Sequence, residues 1–278
     1  MPPPERIEVT AATPAGRDVP VGSGPGGGAG PEHDRDGGAI PPPPPGPMVE
    51  ARWDEVPIEG WRPAVVFVPP GPADDRFPLA VVMHGAGGRP EPHCENWRRL
   101  LRERAYLLCP RGTAWGHVPE GAEPEGYFFR DHRALGRELV LALAAVRAAH
   151  APRLDAERAL FVGFSQGATM GALALHDLAR TPEGARAFGR LALVEGGTAE
   201  WNVALSRLVK EAGVERALLV CGQRSCSRTA RDSVGWMRQG GLDVRFEDAP
   251  GAGHTWGGGV GERVVASLPW LLEGDPRF

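Results

Sequence analysis

From Glu50 onward the chain alternates short apolar runs with longer amphipathic ones. "PAVVFVPPG" (Pro63–Gly71) and "PLAVVMHG" (Pro78–Gly85) are apolar, β-branched and ended by Pro or Gly, the pattern of buried strands. "NWRRLLRERA" has helical periodicity and leads into a strand, "YLLCPRG". Arg133–His150 carries Leu and Val at three- and four-residue spacing and is the clearest amphipathic helix. Strand "ALFVGF", helix "GATMGALALHDLA", strand "RLALVE", helix "WNVALSRLVKEAG", strand "RALLVCG", helix "RTARDSVGWMRQG", strand "DVRFEDA" and a last helix, roughly Val260–Leu272, follow in turn. This alternation predicts an α/β chain, a mostly parallel sheet with helices on both faces. In such sheets, chemistry gathers at the carboxyl ends of the strands.

The first residues read differently. "VGSGPGGGAGPEHDRDGG" and "AIPPPPPGP" hold little that could be buried, so residues 1–47 are expected to form a disordered Pro/Gly-rich tail or linker, and residues 48–278 one domain. The net charge of −4 and the lack of a basic stretch interleaved with aromatics argue against nucleic acid as a partner. No apolar run reaches the length of a membrane span, and no secretory signal pattern opens the chain. The four cysteines fall in two places, Cys94 with Cys109 and Cys221 with Cys226. They read either as reduced thiols or as two local disulfides, the second favoured and implying an extracytoplasmic site. Neither pair has zinc-ligand spacing, so no metal is expected.

Three strand ends carry the chemistry. Gly163-Phe164-Ser165-Gln166-Gly167 is a G-x-S-x-G match with a strand before it and a helix after it. A turn that tight needs tiny flanking residues and lifts the hydroxyl clear of the sheet, so Ser165 reads as a nucleophile. The N–H of Gln166 then faces a developing oxyanion, and "VVMHGAGGR" supplies a second backbone donor, the N–H of Ala86. In "APGAGHTW", His254 sits in a glycine-rich loop after the last strand and suits a general base. His93 and His117 are assigned to surface loops.

With Gly163–Ala168 ("GFSQGA"), His84-Gly85 upstream and Gly253-His254 downstream, the sequence from about Ala51 onward resembles the α/β-hydrolase fold. Within that fold it resembles the phospholipase/carboxylesterase group that includes acyl-protein thioesterases. The resemblance implies cofactor-free hydrolysis of a small-molecule carboxylic ester or thioester through an acyl-enzyme, by a monomer. It also implies an aspartate in the loop after the seventh strand, yet "LLVCGQRSCSRTA" holds no carboxylate there. Glu195, at the end of the sixth strand, is the favoured substitute; Asp248 and Asp232 are alternatives, and Asp243 precedes the last strand. Two rivals stay open: a serine peptidase of the same fold, and a non-catalytic hydrolase-like binding protein, which the missing aspartate favours. Trp97, Trp115, Tyr127, Phe128 and Phe129 read equally as an acyl pocket or as core.

Overall fold

The computed structural model describes residues 47–119 and 122–278; the expected tail lies outside them apart from Pro47. Eight strands form one sheet: β1 (Arg52–Val56), β2 (Ala64–Val68), β3 (Phe77–Met83), β4 (Tyr106–Cys109), β5 (Leu154–Phe164), β6 (Phe188–Val194), β7 (Arg216–Cys221) and β8 (Asp243–Asp248). Their spatial order is β1-β2-β4-β3-β5-β6-β7-β8. β2 runs antiparallel to both neighbours, and all other pairings beyond it are parallel. Five helices connect the strands, α1 (Pro90–Leu100), α2 (His132–His150), α3 (Gln166–Leu178), α4 (Val203–Glu211) and α5 (Arg224–Gln239), and α6 (Gly258–Leu272) follows the last.

Side chains of a strand alternate between faces, and a parallel sheet buries both. In β3, Leu79, Val81 and Met83 join one apolar cluster with residues of α2, α3 and α5, whereas Ala80 and Val82 join a second with residues of α1 and α6. The mostly parallel sheet covered on both faces is therefore present. Helix starts follow local chemistry: Asp131 accepts from Ala134 N–H at 2.8 Å to begin α2, and Asn202 from Leu205 N–H at 3.0 Å to begin α4.

Several elements depart from the pattern. The charged edge strand β1 lacks an apolar run and is held by pairing with β2. α1 starts at Pro90, where a missing N–H costs nothing, and stops before Arg102 and Glu103, both at positive φ. α5 begins at Arg224, four residues earlier than the periodicity suggests, and so takes in Cys226.

A short antiparallel pair, Thr113–Ala114 with Tyr127–Phe128, leans on the loop after β3 through Gly87 N–H, which donates to the Tyr127 carbonyl at 2.8 Å. Beneath this pair, Glu138 of α2 accepts from Gly112 N–H at 3.0 Å, while its other oxygen is buried without a partner. Burial penalises the carboxylate and pushes the Glu138 pKa from the ordinary 4.5 up to about 7. The folded state thus binds the proton more tightly than the unfolded chain. Stability from this group is full below about pH 4.5 and falls as pH rises through about 7. Glu138→Gln keeps an acceptor for Gly112 and removes the charge. In urea titrations it should gain on the order of 2–3 kcal/mol over wild type at pH 8 and little at pH 4.5.

Candidate active site

The site lies at the carboxyl ends of β5, β6 and the loop after β8. Ser165 links β5 directly to α3 and has φ 52° and ψ −118°, a conformation that L-residues avoid. Its N–H donates to the Val194 carbonyl at 2.9 Å, and its carbonyl accepts from Thr169 N–H at 3.0 Å. The flanking glycines are required by separate contacts. A Cβ at Gly163 would lie 2.5 Å from Ala168 Cα, and one at Gly167 would lie 2.4 Å from the His84 carbonyl oxygen.

His254 is carried by a loop whose Gly251 and Gly253 both have positive φ. Its Nε2 stands 2.7 Å from Ser165 Oγ, and its ring packs on Phe164 with centroids 5.3 Å apart. On the far side, Nδ1 lies 3.4 Å from Glu195 Oε2. Glu195 follows β6 at φ 56°, and its side chain is fully buried. Oε1 accepts from Gly222 N–H, whereas Oε2 has no hydrogen-bond partner at normal distance and only His254 beside it. At 3.4 Å this contact is longer than a strong hydrogen bond. Ser165, His254 and Glu195 are thus brought into one line.

The other carboxylates are not. Asp248 ends β8 and is held by Ser227 Oγ at 2.8 Å and Arg231 Nη2 at 2.5 Å. Asp232 is exposed on α5, and Asp243 pairs with Arg216 at the far end of β8. In the loop after β7, a backbone N–H takes the place of a side chain. An added carbon at Gly222 would sit 3.0 Å from Glu195 Oε1 and 2.5 Å from the Gly253 carbonyl oxygen.

Two backbone donors near Ser165 have no acceptor among the described residues, the N–H groups of Ala86 and Gln166. Neighbouring Gly87 and Gly88 both donate elsewhere, the latter to Gly85 O at 3.0 Å. The loop comes close: a Cβ at Gly85 would be 3.2 Å from Ser165 Cβ. His84 is fully buried, with Nδ1 2.8 Å from Gly85 O and Nε2 3.1 Å from Arg111 O, and burial lowers its pKa. It braces the loop. The Gln166 side chain adds a second brace by accepting from Phe129 N–H at 2.9 Å.

Sequence reasoning missed three contributors. Gly222 N–H carries no side-chain signal. The Gln166 side chain acts across the fold. His93 lies in α1, not in a surface loop, and packs on Phe164 and Trp256 at 5.3 and 5.9 Å. Burial lowers its pKa to about 4, so it is neutral there. Of the five aromatics weighed for a pocket, Trp97, Tyr127 and Phe129 are core, whereas Trp115 is exposed and Phe128 partly so. The cysteines are bonded as Cys94–Cys109 and Cys221–Cys226.

No family model matches the sequence, and no curated protein is similar to it. Solved structures do resemble the fold. TT1662 from Thermus thermophilus has a TM-score of 0.59 at 14% identity, over 81% of this chain and all (100%) of that one. Esterase PE8 has a TM-score of 0.52 at 24% identity, over 82% and 98%. A carboxylesterase from Mesorhizobium loti has a TM-score of 0.53 at 16% identity, over 77% and 99%. At these identities the likeness establishes the fold. This chain has the α/β-hydrolase fold.

The crowding at Gly222 predicts that Gly222→Ala destabilises the protein by about 1–3 kcal/mol in urea unfolding, because backbone and Glu195 must shift. Gly235→Ala is the control. It sits in α5 with open space at the new carbon, and should stabilise by about 0.4–1 kcal/mol.

Proposed function

We propose that the chain is a serine hydrolase that cleaves carboxylic esters or thioesters through an acyl-enzyme. The observation that carries this reading is the 2.7 Å contact between Ser165 Oγ and His254 Nε2, made by a serine raised on a left-handed turn. Hydrolase structures with the same fold, esterases among them, support it.

In this reading His254 rests neutral with its proton on Nδ1, facing Glu195, which leaves the Nε2 lone pair to accept from Ser165 O–H. As Oγ attacks the substrate carbonyl carbon, its proton passes to Nε2. The imidazolium that forms lies 3.4 Å from the buried Glu195 carboxylate, and their attraction draws the pair together. The carbonyl oxygen becomes an oxyanion and accepts from the N–H groups of Ala86 and Gln166. Collapse breaks the bond to the alcohol or thiol, which leaves with the proton from Nε2. Water then attacks the acyl-enzyme, giving its proton to Nε2, and release of the acid returns that proton to Ser165. Each step starts and ends with the protein unchanged in charge.

Glu195 supplies what the loop after β7 lacks, and Gly222 N–H holds its carboxylate in place. Residues 195–202 join β6 to α4 directly, which supports short, accessible acyl groups over substrates needing a large lid. The two disulfides support an oxidising, extracytoplasmic setting.

A fluorophosphonate probe tests the nucleophile. Wild type should take one label, at Ser165, and Ser165→Ala none; labelling elsewhere, or none in wild type, overturns the reading. Glu195→Gln should lower kcat on p-nitrophenyl butyrate on the order of a hundredfold or more, with KM nearly unchanged, whereas Asp248→Asn should leave both parameters close to wild type. Faster turnover of short peptide amides than of esters would reassign the substrate class.

A further inference from the structure

Cys221 is the last residue of β7 and Cys226 lies in the first turn of α5, so their bond closes a loop of sequence separation 5 around Gly222. Gly222 provides the N–H that holds Glu195 Oε1. The same loop touches the segment that carries His254. Ala249 N–H donates to the Cys221 carbonyl at 2.8 Å, and an added carbon on Gly222 would strike both Gly253 O and Val260 Cγ2, at 2.5 and 2.8 Å. The bond therefore sits where the acid's donor, the histidine's loop and the start of α6 meet.

The two disulfides are not equivalent. Cys94–Cys109 spans a sequence separation of 15, ties α1 to β4, and both its cysteines are fully buried at 0% exposure. In the other pair Cys221 is equally buried, whereas Cys226 is 8% exposed. A thiolate must reach a sulfur to exchange, so the bond beside the candidate site is the more accessible one. Its short loop also constrains the unfolded chain less, which makes its effect local rather than global.

We propose that the Cys221–Cys226 bond is a positioning staple for Glu195, so that opening it detunes His254 and makes ester hydrolysis sensitive to dithiols. This inference rests on the serine-hydrolase reading above. In the exchange, one thiolate of a dithiol attacks Cys226 Sγ and displaces Cys221 as a thiolate, which takes up a proton. The reagent's second thiol then displaces Cys226, which is protonated in turn, and the reagent closes to its cyclic disulfide. The two cysteines gain two electrons and two protons, and the dithiol loses them. With the loop open, Gly222 N–H is no longer held opposite Oε1, and the buried carboxylate is free to turn away from Nδ1.

The test uses the full chain in five forms: wild type, Cys221→Ser/Cys226→Ser, Cys94→Ser/Cys109→Ser, Glu195→Gln, and Glu195→Gln with the first pair of serines. Each is assayed on p-nitrophenyl butyrate with and without dithiothreitol, and the amide of Gly222 is followed by hydrogen exchange. Opening the Cys221–Cys226 bond, by reagent or by substitution, should lower kcat on the order of tenfold to a hundredfold at nearly constant KM and remove protection at Gly222. Cys94→Ser/Cys109→Ser should keep its kcat and its sensitivity to dithiothreitol. In the Glu195→Gln background, opening the bond should cost nothing further, because nothing remains to be aimed. An unmoved kcat, or an equal further loss in the Glu195→Gln background, overturns the staple while fluorophosphonate labelling of wild type keeps the hydrolase reading standing. Absence of labelling in oxidised wild type removes both.

Discussion

The close approach of the β5–α3 turn to its neighbours is the constraint on which the rest of the site depends. Gly163 lies under Ala168, Gly167 lies against the His84 carbonyl, and Gly196 passes over the Ser165 carbonyl, where a Cβ would come within 2.4 Å. Only hydrogens fit at these three contacts. Because they fit, a strand runs into a helix with one residue between them, and that residue is forced to positive φ. Everything that approaches Ser165 is placed by this packing: the loop after β3, the Glu195 segment after β6, and the first N–H of α3.

The second organising feature is electrostatic. A buried carboxylate needs compensation, and Glu195 has one donor from the backbone and one face toward His254. Its side chain reaches the histidine from β6, so the loop after β7 contributes an N–H where the resembled family places a carboxylate. The exchange has a steric condition. Any side chain on residue 222 would occupy the space of the Glu195 carboxylate or of the Gly253 carbonyl, so glycine there and glutamate at 195 belong together.

Much of this was legible in the chain. Strand and helix order followed from periodicity because both faces of the sheet are covered, so β3 to β7 each carry an apolar run through the middle of the sheet. Ser165, His254 and Glu195 stood out because each follows a strand directly or sits in a loop of glycines. What escaped had physical reasons. β1 is a charged edge strand defined by hydrogen bonds to one neighbour. The start of α1 falls at a proline, and α5 begins in the mostly polar stretch Arg224–Ser227, so neither start shows in apolar spacing. Gly222 N–H and the Gln166 amide act through space, across 27 and 37 residues, and only folding reveals such partners. The aromatic run near Tyr127 was ambiguous because its members divide between core and surface within three residues.

Ser165 and Glu195 share one more property: each directly follows its strand at positive φ although neither is glycine. Such conformations cost on the order of 1–3 kcal/mol apiece, and replacement by glycine relieves them. Selection for stability alone would therefore drift toward glycine at the two positions where this reading puts the nucleophile and its remote acid. Serine and glutamate at these positions mark a trade in which the fold forgoes stability at adjacent strand ends, and a more thermostable variant of this chain need not be a more active one.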